Sequence, residues 1–220
     1  MVEIIPSILV PTAAKCRSRI SLLSRHEVAW TQLDVADGTF VPTQTFHDPE
    51  FIDGCKPRLA FEVHLMTNVT TDEISRWHYP WVKKIIFHLE TTQEPRRILQ
   101  AIGQLGKLAG IALNPETPVE AAQPFLGLTD TLLIMGVKPG WGGQPLLPET
   151  VPRLKLARQI HPHGNVEVDG GANLATVAQL AAAGANLLVI GSALHPKGFS
   201  STFQQLTTLA HDAYQNPPSR

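Results

Sequence analysis

Short apolar runs alternate with amphipathic stretches along the whole chain. Runs at residues 4–9, 28–35, 59–66, 82–88, 108–113, 131–135, 166–168 and 187–190 are rich in Val, Ile and Leu and read as strands. Stretches with helical spacing follow near 12–24, 48–54, 119–125, 149–161, 173–184 and 203–214. Two further helices are marked by their starts, one by the capping box of Thr70 and Glu73, the other by Pro95 in a first turn that leads to Gly106. The strands are continuous apolar runs rather than strict alternations, as parallel strands covered on both faces must be. Eight strand–helix pairs in 220 residues predict a (β/α)8 TIM barrel as a single domain over 1–220. Residues 215–220, with two prolines, are expected to fray. A doubly wound open sheet competes, but no Gly-rich dinucleotide fingerprint follows the first strand and no linker divides the chain.

Composition narrows the partners. Hydrophobic residues at 43% and charged residues at 17% give an ordinary globular balance, so disorder is not expected. A formal charge of −1 offers no reason for nucleic acid or an anionic membrane as partner. No apolar run reaches the roughly 20 residues of a membrane span, and the N-terminus has no signal-peptide pattern. Cys16 and Cys55 have no metal-type pair spacing and read as reduced thiols. A soluble, cytoplasmic protein is the expectation.

In such a barrel, chemistry sits at the C-terminal ends of the strands. The polar residues predicted there are Ser7, Gln32, Asp34, His64, His88 and Asp169. Each alone has a plainer reading, as a helix cap or a hydrogen-bonded core residue. Two aspartates and two histidines on separate strand ends are costly to bury without a use. Gln32 and Asp34, two apart on one strand, point the same way. Gly140, Gly142 and Gly143, then Gly170 and Gly171, then Gly191 and Ser192, follow the last three strands, where barrels commonly hold phosphate on backbone N–H groups. Met66 and Met135 read from sequence as core filler. His161 and His163 are expected at the opposite end, solvated. Lys83 and Lys84 read as surface charges, and Lys138 as solvent-facing.

The ordered motifs Pro6-Ser7-Ile8-Leu9, Leu33-Asp34-Val35, Val63-His64-Leu65-Met66, Phe87-His88-Leu89-Glu90, Ala112-Leu113-Asn114-Pro115, Pro139-Gly140-Trp141-Gly142-Gly143-Gln144, Glu167-Val168-Asp169-Gly170-Gly171 and Gly191-Ser192-Ala193 make the chain resemble ribulose-phosphate 3-epimerases nearly end to end. The resemblance implies a ribulose-phosphate-binding barrel that interconverts D-ribulose 5-phosphate and D-xylulose 5-phosphate. It implies Asp34 and Asp169 as the acid/base pair. It implies one divalent ion on Gln32, Asp34, His64 and Asp169. Ser7, His64, Met66 and Met135 would contact substrate, and the glycines named above with Ser192 would grip its phosphate. The family also suggests a homo-oligomer.

Several positions depart from the family pattern. Gln32 stands where the family carries a ligating histidine, Ala36 where it has a pocket methionine, Thr39 where it has histidine, and Trp141 where it has phenylalanine. An amide oxygen is a harder and weaker donor than imidazole, which predicts weaker Zn2+ binding and a tilt toward Mn2+, Fe2+ or Mg2+. Three other readings remain: epimerisation of another ketose phosphate such as allulose 6-phosphate, a catalytically dead sugar-phosphate binder, and a lyase or decarboxylase. The binder would have no need of two opposed carboxylates, and the lyase would need a strand-end lysine that the sequence does not offer.

Overall fold

The structure, a computed structural model, describes residues 2–216. Eight parallel strands close into a barrel in chain order: β1 (Glu3–Ile8), β2 (Trp30–Ala36), β3 (Ala60–Met66), β4 (Val82–His88), β5 (Leu108–Leu113), β6 (Thr131–Met135), β7 (Asn165–Asp169) and β8 (Leu187–Ile190). The helices outside are α1 (Ala13–Arg25), α2 (Pro49–Gly54), α3 (Thr71–Ser75), α4 (Pro95–Gln104), α5 (Thr150–Ile160), α6 (Val177–Ala182) and α7 (Phe199–Gln215). The connection from β5 to β6 is a 3-10 segment, Val119–Leu128, rather than an α-helix. Pro124 inside it has no N–H to give to a helical ladder. Of the predicted tail, Gln215 closes α7 and residues 217–220 lie outside the described residues.

Burial on both faces explains the apolar runs. Leu33, Val35, Val63, Leu65, Ile85 and Phe87 point outward into the main core beneath the helices. Alternate residues face the barrel interior, where Ile86, Ala112, Leu133 and Met135 form one cluster and Ile5, Leu187 and Val189 another. Each fully buried side chain of this size contributes about 1.5–3 kcal/mol.

The expected helix starts are met in modified form. The Thr70 hydroxyl accepts from the Glu73 N–H (3.2 Å), but the Glu73 carboxylate turns to Arg76 and to the Trp77 indole instead of closing the box. Asn173 caps a turn ahead of α6, accepting on its side chain from the Ala175 N–H (2.8 Å). Helix α7 starts at Phe199, earlier than the periodicity predicts, behind a left-handed Gly198.

Two expectations about the far end of the barrel are corrected. Lys83 is exposed, but Lys84 is buried inside the barrel, with Nζ donating to Glu62 Oε2 (2.8 Å) and Glu167 Oε2 (3.2 Å). Neighbours on a strand face opposite ways, so adjacent lysines cannot share a surface. His161 is also buried, its ring lying where a side chain at Gly164 would have to sit; His163 is exposed as expected. Lys138 is exposed and faces Glu116 at 3.8 Å.

Candidate active site

The strand register brings the polar residues together. Ser7 pairs with Gln32, Asp34 with His64, and Met135 with Asp169. The end of β2 is fixed from the loop beyond it: the Thr45 hydroxyl donates to the Asp34 carbonyl (2.7 Å) and accepts from the Ala36 N–H (2.9 Å). Between the two aspartates lies the amide of Gln32. Its Nε2 donates to Asp34 Oδ1 (2.6 Å) and Asp169 Oδ2 (2.7 Å) and lies 3.4 Å from His64 Nδ1. His64 Nδ1 in turn sits 3.2 Å from Asp34 Oδ1 and 3.3 Å from Asp169 Oδ2.

Burial and neighbouring charge set the protonation of this group. Burial, together with the Asp169 carboxylate, raises the Asp34 carboxyl to about 6, against the pull of hydrogen bonds from His64 and Gln32. For His64 burial acts downward, but hydrogen bonds and charge from Asp169 and Asp34 outweigh it and raise the imidazole to about 10. His88 moves down to about 4 through burial, with the charge on His64 adding to it and Glu90 opposing it. Glu90 falls to about 2, because contacts with His88, the Thr117 hydroxyl and the Asn114 N–H outweigh its burial.

Ligand atoms of Asp34, His64 and Asp169 lie within 4.8 Å of one another, a grouping able to hold a metal ion. Gln32 fits as a fourth donor for a physical reason. Its Oε1 is buried with no hydrogen-bond partner, while Nε2 occupies the centre of the three ligands. A half-turn of the amide exchanges the two atoms and aims an oxygen at an ion. Two carboxylates, one imidazole and one amide make an O/N set suited to Mn2+, Fe2+, Mg2+ or Zn2+.

Above this group opens a cavity of about 520 Å3. Asp34, Asp169, Ser7, Met66 and Met135 line one part of it. Gly140, Gly142, Gly143, Gly170, Gly171, Gly191 and Ser192 line the part formed by the loops after β6, β7 and β8. Gln32, His64 and His88 lie behind the aspartates, fully buried. Gly171 has φ +77°, and a Cβ there would come within 2.7 Å of the Leu146 backbone, so only glycine makes this turn. At Gly191 a Cβ would meet Ser7 Oγ at 2.7 Å. Trp141 stands on the rim, 53% exposed.

Sequence reading missed Arg19 and the Glu90 network. Arg19 lines the cavity and donates to the carbonyl oxygens of Ser7 (3.2 Å) and Leu194 (2.8 Å). Its sequence signal is an arginine beside the apolar stripe Cys16, Ile20 and Leu23 of α1. Glu90 carried a signal too, as the acidic partner two residues after a buried strand-end histidine.

Comparison with known proteins gives the family of the chain. The family model described as the ribulose-phosphate 3 epimerase family matches residues 3–195. The ribulose-phosphate 3-epimerase of Schizosaccharomyces pombe is 35% identical over 87% of this chain and 86% of its own length. That of Rhodobacter capsulatus is 34% identical over 91% and 89%. Among solved structures, a mutant tryptophan synthase α-subunit from Pyrococcus furiosus superposes with a TM-score of 0.69 at 14% identity, covering 99% of this chain and 98% of that one, a likeness of fold alone. On the family model and these relatives, the chain belongs to the ribulose-phosphate 3-epimerase family.

Proposed function

We propose that the protein interconverts D-ribulose 5-phosphate and D-xylulose 5-phosphate, with Asp34 and Asp169 exchanging the proton. The observation that carries this reading is the convergence of those two carboxylates, from β2 and β7, on one buried amide at the edge of a glycine-lined cavity that both aspartates line. The carbon that inverts lies beside a ketone, so its proton can leave if the resulting enediolate is stabilised. One aspartate removes the proton and the other returns one to the opposite face. The raised carboxyl of Asp34 suits a group that must both hold and release a proton.

Gln32, Asp34, His64 and Asp169 would hold the divalent ion. When bound, it supplies positive charge against the enediolate oxygens. Ser7, Met66 and Met135 would position the sugar from the cavity wall, with His64 acting from behind Asp34. The backbone N–H groups around Gly140, Gly142, Gly143, Gly170, Gly171, Gly191 and Ser192 would anchor the phosphate. Depth of anchoring then fixes which carbon meets the aspartates.

No described helix is long and apolar enough to cross a membrane. Cys16 and Cys55 are free thiols, which supports action in a reducing compartment such as the cytoplasm. A homo-oligomer is part of the same reading, and sedimentation velocity measures it.

The test is a coupled assay for xylulose 5-phosphate on protein stripped by chelator and reloaded singly with Mn2+, Fe2+, Mg2+ or Zn2+. Turnover is expected to return with at least one ion. Its absence with all four sinks the proposal.

A further inference from the structure

His88 is fully buried and ends β4, but the proton transfer just described does not use it. Its Nε2 lies 2.9 Å from the Nε2 of His64. The two rings are 24° from coplanar with centroids 5.0 Å apart, so with that N–N distance they meet edge to edge, as a hydrogen bond requires. Only one of the two Nε2 atoms can carry the proton between them.

The other side of His88 decides which one. Its Nδ1 has no hydrogen-bond partner, and the carboxylate Oε2 of Glu90 stands 3.6 Å away. That distance is too long for a hydrogen bond but short for electrostatics. A lone pair on Nδ1 facing a carboxylate is repelled, while an N–H is attracted. The His88 proton therefore belongs on Nδ1, which leaves its Nε2 as acceptor and makes His64 the donor. The Nδ1 of His64 then keeps its direction toward Asp34 and Asp169.

The carboxylate that imposes this order is itself held. Glu90 Oε1 accepts from the Asn114 N–H (2.9 Å) and from the Thr117 hydroxyl. Arg153 of α5 fixes that turn by donating to the carbonyl oxygens of Thr117 (2.6 Å) and Asn114 (2.9 Å). The Phe40 ring packs against His88 with centroids 4.8 Å apart and restricts its rotation.

We propose that His88, ordered by Glu90, is a positioning residue that fixes the ring of His64 and presents its Nδ1 to a divalent ion shared with Asp34 and Asp169. The inference rests on the reading of those three residues as metal ligands. Partners of this kind behind a ligating histidine typically change metal affinity by about 10–100-fold.

The experiment titrates Mn2+ into metal-free protein, following free Mn2+ by electron paramagnetic resonance, and records long-range 1H–15N spectra of the histidine side chains. Wild type is expected to show His88 with its proton on Nδ1. His88→Leu should weaken Mn2+ binding by about 10–100-fold. His88→Gln, whose Oε1 can accept the same hydrogen, should stay within about fivefold of wild type. Glu90→Gln should weaken binding by about 3–10-fold and mix the His88 tautomers; it carries the test if His88→Leu does not fold. A merely structural role would lower the metal-free Tm without moving the tautomer. A His88 proton on Nε2, or His88→Leu binding Mn2+ within twofold of wild type, overturns the proposal. Wild type with no Mn2+ affinity overturns the ligand reading along with it. Metal binding without epimerase turnover would count against the proposed reaction alone.

Discussion

Two polar layers lie inside the same barrel, offset by two residues on shared strands. In the lower layer Glu62, Lys84 and Glu167 are sealed from solvent, and the ammonium sits between the two carboxylates. In the upper layer Asp34 and Asp169 face each other across the Gln32 amide and the His64 ring, and they border a cavity. Burial, with Glu62 beside it, raises Glu167 well above the ordinary carboxylate range, against the pull of Lys84. Burial acts to lower Lys84, but Glu167 and Glu62 outweigh it and raise it. The lower layer thus keeps its charges out of reach of solvent and of any ligand and reads as structure. The upper layer has the same count, two carboxylates about one basic ring, but its carboxylates open onto a cavity where an added cation can reach both.

Breaking the upper layer should cost activity first. Asp34→Asn and Asp169→Asn should each lower epimerisation by about 10²–10⁴-fold, the usual share of a positioned acid or base, with little loss of fold. The coupled assay and a thermal melt on the same samples measure both. Near-wild-type turnover in either variant would remove that aspartate from the proton transfer.

The lower layer should respond in the opposite sense. Lys84→Met strands two buried carboxylates and should destabilise the protein by about 3–5 kcal/mol in urea unfolding. Adding Glu62→Gln and Glu167→Gln to Lys84→Met should restore much of that. An equally unstable triple variant would mean that the lysine stem, rather than the charge balance, holds the layer.

A smaller change sharpens the contrast at Gln32. Gln32→His should tighten Zn2+ binding by about tenfold or more, since imidazole is the softer donor. Calorimetric titration of Zn2+ and Mn2+ into both proteins reads the shift. Unchanged Zn2+ affinity would place the fourth donor elsewhere.

The strands were legible because burial on both faces writes unbroken apolar runs into the sequence. The set Asp34, His64 and Asp169 was legible because each is a polar residue at or near the C-terminal end of such a run. Lys84 was not, because adjacent lysines resemble a surface pair until Glu62 and Glu167, 22 and 83 residues away, are folded onto one of them. His161 was missed for a related reason, since nothing local shows that its ring fills the space left open at Gly164. The helical stretch after β5 was legible, but its 3-10 form was not, since spacing alone does not separate it from an α-helix. Arg19 was passed over because its partners are carbonyl oxygens, which carry no side-chain signature.

The closure of β1 against β8 has a consequence for the order of assembly on the ribosome. Glu3 pairs with Leu187, so the first strand must wait for the last. At about 5–20 residues per second of synthesis, that wait is on the order of 10–40 seconds. Throughout it the far side of β1 is an unpaired apolar edge, the kind that nascent chains stick by. The bond from Arg19 to the Leu194 carbonyl, beyond β8, can form only when that wait ends.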